Sequence, residues 1–228
     1  MSTIDLADIG SDKTVEEIAK RYSGLAEGSC CLSCGGAADR AKPFRGEVCV
    51  DLGSGRGTDA MRLADDVGSD GLVWGIDISD GMLEKARATA QRLGYSNVRF
   101  EKAELENLPI PSMSVDVVIS NCVLNHAKDK AKVWTEIERI LKPGGRFVVS
   151  DIYSSETVPD EFRHDPEAVA ECWAGADTRE VYLKTVYEAG LQDLSVLEES
   201  APYAKGRIEV SSFTLQGWKP KLRRCCGG

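Results

Sequence analysis

An α/β fold with a doubly wound, mostly parallel sheet is predicted by three features of the sequence. Short apolar, strand-like runs alternate with helical stretches through the middle of the chain. The first of these runs passes straight into a glycine-rich turn, GSGRG at 53–57, and the next ends in an acid, Asp77.

The elements follow in order. Val15, Ile18 and Ala19 recur at helical spacing between Thr14 and Tyr22, where Thr14 and Glu17 suit a capping box. The stretch GLAEGSCCLSCGGAADR sustains neither a helical nor a strand period and reads as a loop or mobile lid. Glu47–Leu52 is a strand, Asp59–Val67 a helix, Leu72–Ile76 a second strand, and the next helix runs from Asp80 toward Leu93. Val98–Glu101 and Val115–Ser120 are further strands, the latter preceded by a turn around Pro109 and Pro111. Lys128–Leu141 has helical periodicity and is stopped by KPGG, after which Arg146–Asp151 returns to β-rich sequence. A helix is expected over Thr178–Ala189, then a hairpin of Leu191–Glu198 and Glu209–Gly217 connected near Tyr203. The organisation expected is an N-terminal helix and Cys-rich lid at 1–44, one α/β domain at 45–219 and a flexible, Cys-containing tail at 220–228.

The totals narrow the function. A chain of 228 residues is long enough for one substantial core. With 28 Lys and Arg against 37 Asp and Glu, the formal charge is −9, and the basic residues are spread among acidic neighbours. Such a surface offers no broad footprint for nucleic acid and repels acidic membranes, so a small substrate fits better. No leading apolar stretch resembles a signal peptide and no run is long enough to cross a bilayer, which points to the cytoplasm. In that reducing compartment the eight Cys read as free thiols or ligands rather than as a disulfide scaffold.

VCVDLGSGRGTD carries the strongest local signal. A buried strand ends in Asp51, and Gly53 and Gly55 allow a tight turn and close approach of backbone to a ligand around Ser54. Asp77, followed by Ile78 and Met82, closes the next strand where an acid can accept hydrogen bonds from a ribose diol. AELENLP then brings Glu104 and Leu105 to the side of an adenine ring at the carboxyl end of the sheet. The rival reading, a dinucleotide oxidoreductase, calls for GxGxxG and a hydride-transfer site, and the glycine spacing here differs. Taken together, DLGSGRG, the acidic end of the second strand, and DVVISN before a helix closed by LKPGG resemble the class I S-adenosylmethionine-dependent methyltransferases over about residues 45–155. The resemblance implies a seven-stranded sheet with its last strand antiparallel and the cofactor above Gly53 and Gly55.

The cysteines separate by position. Cys49 lies inside the first strand and reads as a small core residue. Cys122 follows Asn121 at the carboxyl end of a parallel strand, where open α/β sheets place their ligands, and Cys172 lies in ECWAGA in a less regular region. Cys30, Cys31 and Cys34 form CCxxC, a spacing compatible with zinc, though no second CxxC pair stands near and only His126 and His164 offer imidazole. Thiolates converging from the loop, Cys122 and Cys172 suit a soft, thiophilic centre such as arsenic(III), whose lone pair lets it act as nucleophile without a general base.

DLGSGRGTD, GIDISDGMLEKAR, SNCVLNHAKDKAKVWTEIERILKPGGRFVVSDIY and AECWAGA together resemble the arsenite methyltransferases over most of residues 45–190. The resemblance implies that Cys122 and Cys172 bind arsenic, with Cys30 or Cys31 supplying a third sulfur. It further implies S-adenosylmethionine as methyl donor, S-adenosylhomocysteine as product, arsenite or its thiol adducts as acceptor and a thiol reductant as co-substrate. Asn121 is then expected to shape the methyl-transfer pocket. His126 departs from the family, which commonly has Leu there, and DTREVY replaces the aromatic, acidic sequence usual after ECxxGA. Cys225 and Cys226 look like a vicinal pair found near the end of some members. Two alternatives stay open at this point: methylation of another small molecule, and an arsenic- or metal-binding protein that keeps the fold without catalysis.

Overall fold

The computed structural model describes residues 19–20, 35–163, 165 and 172–221. The expected helix at Thr14–Tyr22, the cysteines Cys30, Cys31 and Cys34, His164, and the pair Cys225 and Cys226 lie outside the described residues, apart from 19–20 of that helix.

Alternation of strand and helix produces the predicted sheet. Its strands are β1 (Val48–Leu52), β2 (Leu72–Asp77), β3 (Val98–Lys102), β4 (Val115–Asn121), β5 (Leu141–Ser154), β6 (Gln192–Glu199), β7 (Tyr203–Lys205) and β8 (Ile208–Trp218). The helices are α1 (Ala37–Ala41), α2 (Thr58–Val67), α3 (Asp80–Leu93), α4 (Lys130–Ile140), α5 (Asp160–Arg163) and α6 (Arg179–Glu188). The strand order is β3-β2-β1-β4-β5-β8-β6, with β7 on β8. The β1, β2, β3, β4 and β5 strands pair in parallel, and β8 runs antiparallel to β5 and β6.

Each central strand is apolar on both faces because helices cover both. Val50, Leu52, Val118, Phe147 and Val149 face one way, into a core completed by Trp134 and Ile137 of α4 and Tyr182 and Val186 of α6. Their neighbours Cys49, Val117, Ile119 and Val148 face the other, against Ala60 and Leu63 of α2 and Leu83 and Ala86 of α3. This period-2 split is what a strand geometry imposes. The Trp134 ring meets Phe147 at 5.0 Å and Tyr182 at 5.8 Å, both edge to face.

Three local readings are revised. The sheet has eight strands among the described residues rather than seven, because Tyr203–Lys205 folds back on the start of β8 around Gly206 instead of serving only as a connection. The eleven-residue β8 extends beyond the reach of β6, and β7 takes up its remaining ladder. The strand expected at Arg146–Asp151 begins earlier, at Leu141, with a register irregularity opposite Val115 and Val117. Finally, AADRA, read as loop, forms α1: Ala37, Ala38 and Ala41 are small enough to pack closely against the sheet and are buried there.

The chain runs outward through β1, β2 and β3, then returns to place β4 on the other side of β1. At such a switch point the loops leaving the two adjacent strands diverge and open a crevice. Here those loops are GSGRG after β1 and Cys122 onward after β4.

Candidate active site

The β1 loop is shaped by its glycines. Gly53, at φ +72°, has no room for a Cβ beside the Val123 side chain, 2.7 Å away, and Gly53 and Ser54 both donate their N–H to the Ile76 carbonyl. Gly55 has open space where a side chain would project. Its N–H donates to the Asp77 carboxylate at 2.8 Å, and Ser79 N–H donates to the other oxygen at 2.9 Å. The β2 acid therefore braces the β1 loop. Ser79 caps α3, accepting from Met82 N–H, and the Met82 side chain is buried.

Ala103 N–H donates to the Asp77 carbonyl, so the loop carrying exposed Glu104 and half-buried Leu105 starts at the same edge. Asp51 is buried at the end of β1, and its pKa is pushed well above the ordinary carboxylate range by burial, then by the neighbouring Asp59 and Asp77 charges. Asp77 is raised by burial too, against the hydrogen bonds it accepts. Ser54 Oγ is buried with no hydrogen-bond partner among the described residues. Stacked acids, open space before Gly55 and an unsatisfied hydroxyl form a cradle suited to a polar ligand with a cationic end and hydroxyl donors.

Beside this cradle, Asn121 ends β4. Its amide donates to Asp59 at 2.9 Å and its oxygen accepts from Ala37 N–H at 3.2 Å, tying α2 to α1. Cys122 follows in left-handed backbone (φ +53°), with its N–H donated to the Ser150 carbonyl on β5. Cys172, also left-handed at φ +72°, comes from a turn 50 residues further on, yet its Sγ lies 3.2 Å from the Cys122 carbonyl oxygen. Two non-glycine residues in this conformation cost about 1–3 kcal/mol each, which the surrounding contacts must offset. Cys172 Sγ also lies 3.2 Å from His126 Nε2. Cys172 and Ile78 pack on one small cluster with Trp173, Val158 and Ile152, which links the β2 end to the cysteine turn.

A cleft of about 240 Å³ opens at Cys122, lined also by Gly35, Gly36, Ser150, Asp151 and Phe213. Both Cys122 and Cys172 are partly exposed, whereas Cys49 is buried in the core with its thiol pushed up to about 12 by burial. Among the described residues no three His, Cys, Asp or Glu side chains form a metal-binding group. No helix among them is long and apolar enough to cross a membrane.

Below the cysteines lies a polar network that sequence reasoning missed. Asp151 accepts from Asn125 Nδ2 at 2.9 Å and from Tyr182 Oη at 3.3 Å, and Asn125 also donates to the Ile152 carbonyl. Asp151 follows the apolar run of β5 as Asp51 and Asp77 follow those of β1 and β2, a repetition that could have flagged it. Burial pushes its pKa up to about 7. A proton bound more tightly in the folded chain than in the unfolded one makes stability full below the ordinary carboxylate range, falling from about pH 4 to about 7 and level above. Asp151→Asn keeps one accepting oxygen for Asn125 and the Ile152 N–H, turns an amide N–H toward the Tyr182 hydroxyl, and removes the charge. We expect urea unfolding to show it more stable than the parent at pH 8.5 by a few kcal/mol, at about 1.4 kcal/mol per pKa unit, with the gap shrinking toward pH 5. An equal gap at both pH values would refute the titration of Asp151.

Residues 43–190 match the model of the methyltransferase domain. The chain belongs to this methyltransferase family. Among its relatives, the arsenite methyltransferase of Halobacterium salinarum is 32% identical over 84% of this chain and 60% of its own length. That of Homo sapiens is 38% identical over 93% of this chain and 52% of its own. The crystal structure of an arsenic(III) S-adenosylmethionine methyltransferase from Chlamydomonas reinhardtii superposes with a TM-score of 0.71 at 29% identity, covering 89% of this chain and 74% of that one. The resemblance read from the motifs is borne out by these matches. This methyltransferase thus spans between half and two thirds of the length of these two sequence relatives.

Proposed function

We propose that this methyltransferase transfers a methyl group from S-adenosylmethionine to arsenic(III) held by Cys122, Cys172 and a cysteine of the N-terminal cluster, Cys30 or Cys31. The observation that carries the reading is the approach of Cys172 Sγ to within 3.2 Å of the Cys122 carbonyl, beside the cradle formed by the ends of β1 and β2. Gly35 and Gly36 line the cleft at Cys122, so the chain following the N-terminal cluster reaches this same point.

When bound, the cofactor supplies an electrophilic methyl carbon on a sulfonium, to which the arsenic lone pair bonds without a general base. Gly53, Ser54 and Gly55 would hold its polar end, Asp77 its ribose hydroxyls, and Ile78, Met82, Glu104 and Leu105 the side of its base. Asp51, whose pKa is pushed up by burial and then by the Asp59 and Asp77 charges, would be drawn back toward its ionised form by a cation at this edge. Asn121, fixed between Asp59 and Ala37, shapes the wall between cofactor and acceptor. Cys122 and Cys172 fix the acceptor by soft sulfur bonds and exclude water from it, so the reaction becomes one between positioned groups. Arsenite enters as a thiol adduct and a thiol reductant keeps the cysteines reduced, chemistry suited to the cytoplasm.

The test is mass-spectrometric analysis after incubating the reduced protein with S-adenosylmethionine and arsenite. Methylarsenical and S-adenosylhomocysteine in equal turnover are expected. A folded protein that binds the cofactor and yields neither product would overturn the proposal.

A further inference from the structure

His126 ends the short 3-10 turn Leu124–His126 that follows Cys122. Leu124 and Asn125 anchor this turn in the interior, and Asn125 is bonded to both Asp151 and the Ile152 carbonyl. The imidazole is therefore carried on a rigid support rather than on a loose loop. Its Nε2 lies 3.2 Å from Cys172 Sγ, and the same sulfur lies 3.2 Å from the Cys122 carbonyl oxygen. A carbonyl oxygen can only accept, so the thiol hydrogen points to Cys122. The sulfur is then left to accept, and the ring nitrogen facing it is the donor, Nε2–H. One sulfur is thus gripped from two sides, by groups from the turn after β4.

We propose that His126 is a positioning residue for the acceptor site, holding the Cys172 sulfur so that Cys172 is the entry thiol, the first to bond the thiophilic substrate. The substrate's identity rests on the function proposed above; the role of His126 does not. In the entry step a Cys172 S–As bond forms and one As–S bond of the incoming thiol adduct breaks. The Cys172 proton leaves with the departing sulfur as free thiol, so no oxidant or reductant is consumed. The S–H···O bond to Cys122 is lost in this step, while the Nε2–H···S bond persists and strengthens as the sulfur gains charge. Cys172 keeps its place as arsenic passes on toward Cys122.

Iodoacetamide, a soft electrophile that needs no arsenic, tests this directly. Rates of alkylation at Cys172 and Cys122 would be read by peptide mass spectrometry at neutral pH for the parent, His126→Leu and His126→Gln. Loss of the donor should slow Cys172 about tenfold in His126→Leu, while Cys122 changes by less than about twofold. The glutamine amide restores an N–H at similar reach and should recover most of the rate. An unchanged Cys172 rate in His126→Leu, or a fall in His126→Gln as deep as in His126→Leu, overturns the proposal, the latter because it marks a contact of shape alone. A parallel arm follows arsenite binding by tryptophan fluorescence, with the same order of rates expected. If the alkylation order holds but the parent binds no arsenite, His126 keeps its role and the arsenic reading falls.

Discussion

On the proposed function, replacing Cys122 or Cys172 with serine should cut methylarsenical formation at least roughly a hundredfold, because loss of one sulfur would both weaken the proposed arsenic site and misplace what is left of it. Oxygen is a hard ligand that exchanges with water, and a hydroxyl in place of either thiol cannot hold arsenic(III) in a fixed orientation. The fold should tolerate the change. In Cys172→Ser the hydroxyl keeps a hydrogen to donate to the Cys122 carbonyl, and in Cys122→Ser the backbone N–H bond to Ser150 stays in place. Product analysis beside a thermal melt separates the two effects: loss of product with a nearly unchanged melting temperature is expected. Parent-like turnover in both variants would sink the sulfur-bound acceptor. A melting temperature that fell with the activity would instead show that the thiols serve packing.

The edge of the sheet proposed to hold the cofactor was legible in the sequence because its determinants are local. Asp51, Gly53 and Gly55 fall within five residues, and Asp77 ends the adjacent strand, so strand, turn and acid can be read in one pass. The acceptor side is different. Cys122 and Cys172 stand 50 residues apart, and nothing in periodicity joins them; their pairing was expected from thiol chemistry and from resemblance, and it is the turn after β5 and α5 that brings the second to the first. Partners reached across strands stayed hidden for the same reason. Asp59 is a plain helix residue in sequence and a clamp for Asn121 in the fold, and His126 reads as a lone histidine until its ring meets Cys172. Short elements were missed because a five-residue α1 and a three-residue β7 hold too little sequence for a period to show.

Gly175→Ala carries the second large effect, and it tests whether the acceptor site depends on close backbone approach. The Gly175 Cα faces the Asn125 carbonyl, and an added Cβ would come closer to that oxygen than real Cβ contacts do, with the carbonyl carbon only 3.1 Å away. The obstacle is backbone, so no rotamer change relieves it. Asn125 cannot retreat, since its amide is bonded to Asp151 and the Ile152 carbonyl, and the Gly175 carbonyl accepts from Lys130, itself paired with Asp177 at 2.9 Å. The turn of residues 172–176 must therefore lift, at a cost of about 1–3 kcal/mol for forced overpacking, or a fall of roughly 2–12 °C in melting temperature for a domain this size. Lifting it carries Cys172 away from both Cys122 and His126. We expect arsenic binding and methyl transfer to fall more than tenfold, because misplacement of about 1 Å already costs that much and more. The binding of S-adenosylhomocysteine, which the proposed function puts on the β1 and β2 side, should change little. Loss of both together would mean that the two halves of the crevice fold as one unit, and retention of both would mean that the turn is not held where the Cys172 assignment requires it.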